Sequence, residues 1–179
     1  MLFRSEPTDN FLDFQKYILL ENGYPFEFYD LDKIKNIIET NSFNLSLKPA
    51  SLDLSFIASN NIEYKLNSDL VVLTANNYPL SVSGIISNKT TLYDSNSKSL
   101  LIEAAIYKSK TIRQQSRSIG LRTDRSARYE KDLNDNDFIK AIIRLISLLR
   151  ISNPNLICHI HTTSNLYKQT ISNLKLRYQ

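Results

Sequence analysis

The sequence predicts an α+β domain in which mixed β-sheets are layered with helices, in a β/β/α sandwich-like arrangement. Short segments that alternate apolar and polar residues, or are rich in β-branched residues, are separated by polar turns and are typical of strands. Amphipathic stretches near both ends have apolar residues at helical spacing. With 179 residues and 42% apolar residues, the chain is long enough for one domain with a real core.

The N-terminal half begins with a predicted helix over residues 10–21, and Gly23 follows as its stop. Residues 26–39 predict an extended segment followed by a short amphipathic turn. Between residues 43 and 62 apolar and polar residues alternate, which predicts strands that are interrupted by Pro49.

The C-terminal half continues this mixture. We predict strands at residues 69–74, 80–86 and 100–105, and helices at residues 109–118 and 136–150. The polar residues 75–79 form a turn between the first two of these strands. The sequence changes character after Asn153-Pro154, so we assign residues 1–165 to one domain and residues 166–179 to the start of a following one.

Charge and cysteine content indicate which binding partners and which kinds of site the sequence favours or excludes. The net charge of +4 and pI near 9.1 suit a polyanionic partner such as RNA. A single cysteine, Cys158, excludes an internal disulfide framework. Cys158, His159 and His161 are too few for a metal ligand set, so we expect no metal site. No apolar run approaches the roughly 20 residues of a spanning helix, so we expect no membrane partner.

Residue usage indicates the genome of origin. The chain is rich in Asn, Ile, Leu, Lys and Ser, whose codons are mostly rich in A and T. The N-terminal MLFRSEPTDN is neither a signal peptide nor a transit peptide. We therefore expect a plastid-encoded protein of the chloroplast stroma, and the alternative is the cytoplasm of an A/T-rich bacterium.

Three passages carry a family resemblance. The chain has only three glycines, and each lies in one passage: Gly23, Gly84 and Gly120. The third passage, residues 100–134, joins an Ile-Glu-Ala-Ala turn, regularly spaced arginines and a Thr-Asp-x-Ser step. In this order the passages resemble the tRNA-binding and editing domain of the β subunit of bacterial-type phenylalanyl-tRNA synthetase. The resemblance spans residues 7–150, and the terminal ISNLKLRYQ looks like the opening strand of that family's next domain.

The resemblance implies a part of a larger enzyme. The family joins phenylalanine to its tRNA and is built from two α and two β subunits. The implied partners are therefore the α subunit and the tRNA for phenylalanine. ATP and Mg²⁺ serve the whole enzyme, and no cofactor is implied for this segment. In this family the synthetic site lies on the α subunit, whereas the β-subunit domain hydrolyses mistakenly made tyrosyl-tRNA.

The resemblance also implies positions of an editing pocket: Glu103, Thr123, Gly84, Lys16, Glu27 and Arg125. Tyrosine differs from phenylalanine by one hydroxyl, and a site that hydrogen-bonds this hydroxyl selects tyrosine strongly. Glu103 matches the carboxylate in that role. Thr123 matches a residue that positions the attacking water. Gly84 matches a glycine whose backbone lies close to the amino acid carried by the tRNA.

Three of these positions depart from the family pattern. Lys16, Glu27 and Arg125 stand where the family usually has Asn, His and Ala. Arginine in place of a methyl group would fill much of the pocket, and burying it unpaired would cost several kcal/mol. We therefore expect Arg125 to pair with Glu27, Glu103 or both and to close the cavity. On this interpretation editing is lost or reduced.

The remaining arginines of the third passage have two interpretations. Arg113 and Arg122 are candidates for RNA binding, because guanidinium groups bind phosphates. For Arg117, Arg128 and Glu130 we favour structural ion pairs.

Two other functions remain open. One is a free-standing RNA- or ligand-binding domain of the same fold that belongs to no synthetase. The other is a trans-acting editing hydrolase, which the three substitutions in the pocket disfavour.

Overall fold

The computed structural model describes residues 10–51 and 54–161 and confirms the α+β class. In chain order its elements are α1 (Asn10–Glu21), β1 (Phe26–Asp30), α2 (Leu31–Ile38), β2 (Leu45–Pro49), β3 (Ser55–Ile57), β4 (Glu63–Lys65), β5 (Val71–Ala75), β6 (Tyr78–Val82), β7 (Ile86–Ser87), a 3₁₀ turn (Lys89–Thr91), β8 (Leu100–Ala104), α3 (Ser109–Ile119), α4 (Asp124–Tyr129) and α5 (Asp135–Ser152). None of the helices in the described ranges has the length and apolar character needed to cross a bilayer.

The strands form three antiparallel groups within the described ranges. The largest is a four-stranded sheet in the order β2-β5-β6-β7. β1 pairs with β8, and β3 pairs with β4 as a hairpin. The β1–β8 pair joins two of the passages on which the family resemblance rests, although they are far apart in the sequence.

Strand β1 lies between two parts of the hydrophobic core. Phe26 and Phe28 are buried in a cluster with α1 and α5, to which Ile18 and Leu145 also belong. Tyr29 is buried in a different cluster, which includes residues of α2, β5 and β6. Neighbouring side chains of a strand point to opposite faces, so both faces of β1 are covered. Phe26, Phe28 and Tyr29 are therefore part of the core.

The predicted helices are confirmed. α1 has the predicted bounds, and Gly23 follows it with a φ of +79°. α3 and α5 lie where predicted and are longer by one to three residues. The short amphipathic turn after the first extended segment is α2, a helix of eight residues that is capped by Asp30.

The single strand predicted over residues 80–86 is wrong. β6 already begins at Tyr78, inside the predicted turn, and the chain then turns at Gly84 before the two-residue β7. The φ of Gly84 is +72°, and the Ile85 amide donates to the Val82 carbonyl at 2.9 Å, which closes the turn. Three further elements were not predicted, the hairpin strand β4, the 3₁₀ turn and the helix α4.

Part of the predicted organisation lies outside the described residues. The alternating pattern at residues 43–62 includes β2, which ends at Pro49 as predicted, and β3. Residues 52–53 within this pattern are not described, and neither is the proposed boundary at residue 165.

Candidate functional site

Two glutamates lie directly opposite each other on the β1–β8 pair. The antiparallel register places Glu27 against Glu103. Directly opposite residues of an antiparallel pair have Cβ atoms about 4.5–5.5 Å apart on the same face, and like charges there are destabilising. The side chains of Glu27 and Glu103 are only 16% and 8% exposed, so water screens their repulsion little. This pair therefore requires a cation.

Arg125 of α4 supplies that cation. Its Nη1 lies 3.0 Å from Glu27 Oε2, and its Nη2 lies 2.6 Å from Glu103 Oε1. Arg125 as a residue is 8% exposed, and its Nε is buried without a hydrogen-bond partner. The expectation that Arg125 pairs with one or both glutamates is confirmed, because it pairs with both.

The N-terminus of α4 holds Arg125 in this position. Thr123 caps the helix in a capping box with Ser126, in which each side chain bonds the backbone amide of the other. The Thr123 hydroxyl also donates to the Ile85 carbonyl at 2.8 Å. This bond joins α4 to the turn at Gly84. Thr123 therefore acts in this structure as a helix cap and a link between two of the resemblance passages.

Further side chains satisfy the two carboxylates. The hydroxyl of Tyr29 donates to Glu103 Oε2 at 2.7 Å, and that of Tyr107 donates to Glu103 Oε1 at 2.5 Å. On the other carboxylate, Ser87 donates to Glu27 Oε2 at 2.8 Å and Gln15 to Glu27 Oε1 at 3.2 Å. Each of the four carboxylate oxygens thus accepts at least one hydrogen bond.

The electrostatics of the cluster keep Glu103 and Arg125 ionised. Burial opposes ionisation of Glu103, but the charge of Arg125 and the hydrogen bonds from Tyr107 and Tyr29 outweigh burial, so the pKa of Glu103 lies below its usual value. Burial alone would lower the pKa of Arg125, but Glu103 and Glu27 hold it well above its usual value. Burial, followed by the charge of Glu103, raises the pKa of Tyr107 well above 10.0, so it stays a hydrogen-bond donor.

Gly84 packs against the same cluster. A Cβ atom at this position would lie 2.7 Å from Ile112 Cδ1, 3.0 Å from Tyr107 Cδ2 and 3.2 Å from Tyr129 Cδ2. The rings of Tyr107 and Tyr129 meet edge to face with centroids 5.0 Å apart. The backbone at Gly84 therefore lies against side chains of this chain.

Five of the six predicted pocket positions lie in this cluster or touch it, and Lys16 differs. Glu27, Glu103 and Arg125 form its centre, Thr123 positions α4, and Gly84 packs on Tyr107. Lys16 is exposed on α1. Its neighbour Gln15 contacts the cluster, because it bonds Glu27 Oε1 and, at 2.6 Å, the carbonyl of Phe26.

The predicted ion pairs of the third passage are partly wrong. Glu130 pairs with Arg122, whose Nη2 lies 3.0 Å from Oε2, and its carbonyl accepts from Arg113 Nη2 at 2.6 Å. The two RNA-binding candidates are therefore the partners of Glu130. Arg128 donates to the Gly23 carbonyl at 2.5 Å, and a Cβ at Gly23 would overlap the guanidinium of Arg128. Arg117 has neither an ion pair nor a side-chain hydrogen bond in the described part of the chain.

Cluster members that the sequence did not indicate are Gln15, Tyr29, Ser87, Tyr107 and Tyr129. Tyr29 lies two residues after Glu27, so strand alternation places both on one face. That spacing is informative only once the pairing of β1 with β8 is known. Cys158, His159 and His161 are exposed near the end of the described residues, which contain no group of three or more potential ligands that could hold a metal ion.

This arrangement has defined chemical properties. Both carboxylates are paired with one guanidinium and hydrogen-bonded on every oxygen. Glu103 already accepts three of the about four hydrogen bonds that a carboxylate can accept, and its side chain is only 8% exposed, so little access remains for an additional hydroxyl group. With two negative charges and one positive charge, the cluster retains a formal charge of −1.

Comparison with known proteins identifies relatives of the chain. It is similar to the chloroplastic phenylalanine--tRNA ligase beta subunit of Phaeodactylum tricornutum, with 48% identity over 97% of the chain. It is also similar to phenylalanine--tRNA ligase beta subunits of Prochlorococcus marinus, with 31% identity over 93% of the chain, and of a Synechocystis species, with 30% identity over 81%. The chain spans 24%, 20% and 18% of the length of these three proteins.

The family is given by a match to a domain model. The model of the B3/4 domain matches residues 3–152. The match includes all three resemblance passages and every residue of the ion-paired cluster. Since it covers most of the sequence, the chain belongs to the B3/4 domain family.

Proposed function

We propose that the chain is a segment of the beta subunit of a phenylalanine--tRNA ligase and contributes to attaching phenylalanine to its tRNA in translation. The observation that carries this proposal is the 48% identity to a chloroplastic beta subunit over 97% of the chain. ATP, Mg²⁺, the alpha subunit and the tRNA belong to the whole enzyme, because the chain spans about a quarter of that relative. A bacterial-type assembly of two alpha and two beta subunits is part of this proposal.

The proposed location is the plastid stroma. The chloroplastic relative supports it, and so does residue usage typical of an A/T-rich genome.

The subunit role is tested on the native protein that contains this segment. We expect it to co-purify with an alpha subunit and the complex to charge the tRNA for phenylalanine when ATP and Mg²⁺ are supplied. A purified protein without an alpha subunit, which binds RNA but charges none, would instead support a free-standing domain of this family.

We further propose that the cluster of Arg125, Glu27 and Glu103 has replaced a tyrosine-editing pocket. The family resemblance assigns Glu103 as the acceptor of the tyrosine hydroxyl. In this chain, the oxygens of Glu103 already accept from Arg125, Tyr29 and Tyr107. These three donors leave about one acceptor site on a side chain that is only 8% exposed, so a substrate hydroxyl has little access to it unless a donor moves away. Editing selectivity by hydrogen bonding is thereby lost or much reduced.

The editing proposal is tested by deacylation of tyrosyl-tRNA carrying the phenylalanine anticodon, with the intact synthetase. We expect no hydrolysis by the parent enzyme. The variant Arg125→Ala with Glu27→His removes the bridging cation and one carboxylate and should recover hydrolysis in part. Arg150→Ala, an exposed position on α5, is the matched control for loss of an arginine. Efficient hydrolysis by the parent would contradict the proposal and leave the subunit role untouched.

A further inference from the structure

A second site candidate is a basic cleft that lies apart from the Arg125 cluster. It has a volume of about 340 Å³ and is bounded by the last turns of α3, the loop after it and the residue after α4. Arg113, Arg117 and Arg122 line it, together with Glu130. No residue that bonds the carboxylates of Glu27 or Glu103 is among its lining residues.

The walls of this cleft carry an excess of positive charge. Three arginines face one glutamate, so the formal charge of these side chains is +2. Glu130 does not neutralise all of them, because its carboxylate pairs with Arg122 and only its carbonyl accepts from Arg113. These contacts hold two guanidinium groups in fixed positions. The carbonyl end of a helix repels an anion. At this end of α3 the Gly120 amide donates to the Arg117 carbonyl at 3.2 Å and so caps it.

Two polar groups at the cleft have no partner in the described ranges. One is the exposed guanidinium of Arg117. The other is the hydroxyl of Ser116, which is buried in a residue only 7% exposed. Leaving a buried hydroxyl without a partner costs about 1–3 kcal/mol. A phosphate oxygen in the cleft would accept from Arg117 directly, and from Ser116 once its side chain turns toward the cleft, because the hydroxyl is buried in its present rotamer. Hydrogen bonds to an ionised acceptor are stronger than neutral ones.

The positive charge continues along α3 beyond the cleft. Lys110, Arg113 and Arg117 are exposed at a spacing of three and four residues, and α3 contains no acidic residue. Residues at this spacing lie on one face with Cβ atoms about 5–6 Å apart. A row of cations that ends in a cleft suits a chain of phosphates better than a single phosphate ion.

We infer that the cleft at the end of α3 binds a phosphodiester group of an RNA backbone, with Arg117 and Ser116 as its donors and the exposed row of α3 binding adjacent phosphates. This inference rests on the proposed function, in which the RNA is a tRNA. The inference adds a phosphate-binding site to this domain. The editing pocket that the family resemblance implies is filled by side chains of the chain itself.

The test is tRNA binding by the full chain, measured by fluorescence anisotropy over a range of salt concentrations. Each phosphate contact contributes about 0.9 to the slope of log affinity against log salt. We expect Arg117→Gln to reduce this slope by about one. If both proteins bind equally at 1 M salt, a slope difference of about 0.9 corresponds to about eightfold weaker binding at 0.1 M. Arg150→Gln makes the same charge change on α5 and should lower the slope by clearly less.

Ser116→Ala separates binding from folding. The buried hydroxyl has no partner without a ligand, so its removal should leave the melting temperature equal or higher while weakening tRNA binding. Unchanged binding and slope in both Ser116→Ala and Arg117→Gln would overturn the inference. So would tight binding of inorganic phosphate that depends on Arg117 while tRNA affinity does not. Failure of the assembled enzyme to charge tRNA would refute the proposed function but would leave these slopes unaffected.

Discussion

Arg125 lies between two glutamates that the β1–β8 register places directly opposite each other. Its two ion pairs convert a repulsive cross-strand contact into an attractive one. Buried pairs of this kind gain little over apolar packing, because desolvation offsets the Coulomb attraction. Removing one member is different, since the others are then left buried and uncompensated. The stability of the cluster therefore depends strongly on each member being present.

Arg125→Met is expected to lower the free energy of unfolding by about 3–5 kcal/mol, because it leaves Glu27 and Glu103 facing each other without a cation. Urea unfolding at neutral pH measures the loss. Arg150→Met on the exposed face of α5 is the control and should change stability by less than about 0.5 kcal/mol. Equal stabilities for the two variants would show that Arg125 does not bridge the glutamates in solution.

Acid should weaken the cluster through Glu103. Arg125 and the two tyrosines lower the pKa of Glu103 in the folded state below its usual value of 4.5, despite burial. A carboxyl group with a depressed folded-state pKa stabilises the protein above its unfolded-state pKa, and this stabilisation is lost as the pH falls through the folded-state pKa. The free energy of unfolding should therefore fall as the pH drops below about 4.5.

The measurement is urea unfolding of the parent and of Glu103→Gln from neutral pH down into this acid range. The parent should lose stability more steeply with falling pH, because only the parent has a carboxyl group to protonate at this position. Glu63→Gln removes an exposed carboxylate of β4 and serves as the control. Identical pH profiles for the parent and Glu103→Gln would exclude the depressed pKa.

At the scale of elements, the sequence predicted what depends on local periodicity. α1 could be placed from its apolar spacing and Gly23, because these features act within a few turns of one helix. The break between β6 and β7 was missed, because LSVSGII is as apolar as a continuous strand and only Gly84 indicates the turn. α4 was missed for a related reason. It has six residues, too few for a recognisable period, and its capping box is closed by a serine in place of the usual Glu or Gln.

Two turn glycines provide a matched test of how the turn at Gly84 is packed. Gly84 and Gly120 have similar φ angles, +72° and +67°, so alanine at either position is strained by about 1–2 kcal/mol. A Cβ at Gly120 meets nothing within 4 Å, whereas a Cβ at Gly84 meets Ile112 at 2.7 Å. Gly84→Ala should therefore cost about 1–3 kcal/mol more than Gly120→Ala, as overpacking of a core does.

Thermal unfolding of the two alanine variants reports this difference directly. The shared φ penalty cancels in the comparison, so the remainder measures the contacts of Gly84 with Ile112 and the two tyrosines. Equal destabilisation would mean that the turn moves away from α3 at little cost. In that case the close approach of this backbone to the cluster would not be a fixed feature of the fold.

At the scale of the whole molecule, the candidate site could be predicted only through the family resemblance. Periodicity gives the strands, but it does not show that β1 pairs with β8 or that Glu27 faces Glu103. The partners of Arg125 were predicted because a buried cation needs anions. Glu27 and Glu103 were the carboxylates at positions that resemble those of the family's pocket. The two tyrosines were not predicted. Tyr29 reaches Glu103 only after β1 has paired with β8, and Tyr107 lies in the irregular segment after β8, where no periodicity indicates its direction.

Tyr129 is expected to be a main connection between these elements. Its hydroxyl lies 2.9 Å from the carbonyl of Pro25, just before β1, and 3.0 Å from that of Ala105, just after β8. Phe26 and Ala104 form the last pair of the β1–β8 ladder at this end. α4 therefore closes the end of the sheet that carries both glutamates. Tyr129→Phe keeps the ring but leaves carbonyls without this donor, which should cost about 1–3 kcal/mol.

Chemical denaturation of Tyr129→Phe should show this loss as a lower midpoint. Tyr17→Phe is the matched control, because the hydroxyl of Tyr17 is also hydrogen-bonded but the residue is 45% exposed. We expect this variant to change the stability by less than about 0.5 kcal/mol. Amide exchange adds a local readout, since loss of the Tyr129 bonds should speed exchange at the Phe26–Ala104 end of the ladder more than at the Asp30–Leu100 end. If exchange is equal at both ends and the midpoint is unchanged, Tyr129 does not stabilise the end of the sheet that carries the two glutamates. Arg125 and core packing would then be sufficient to hold it.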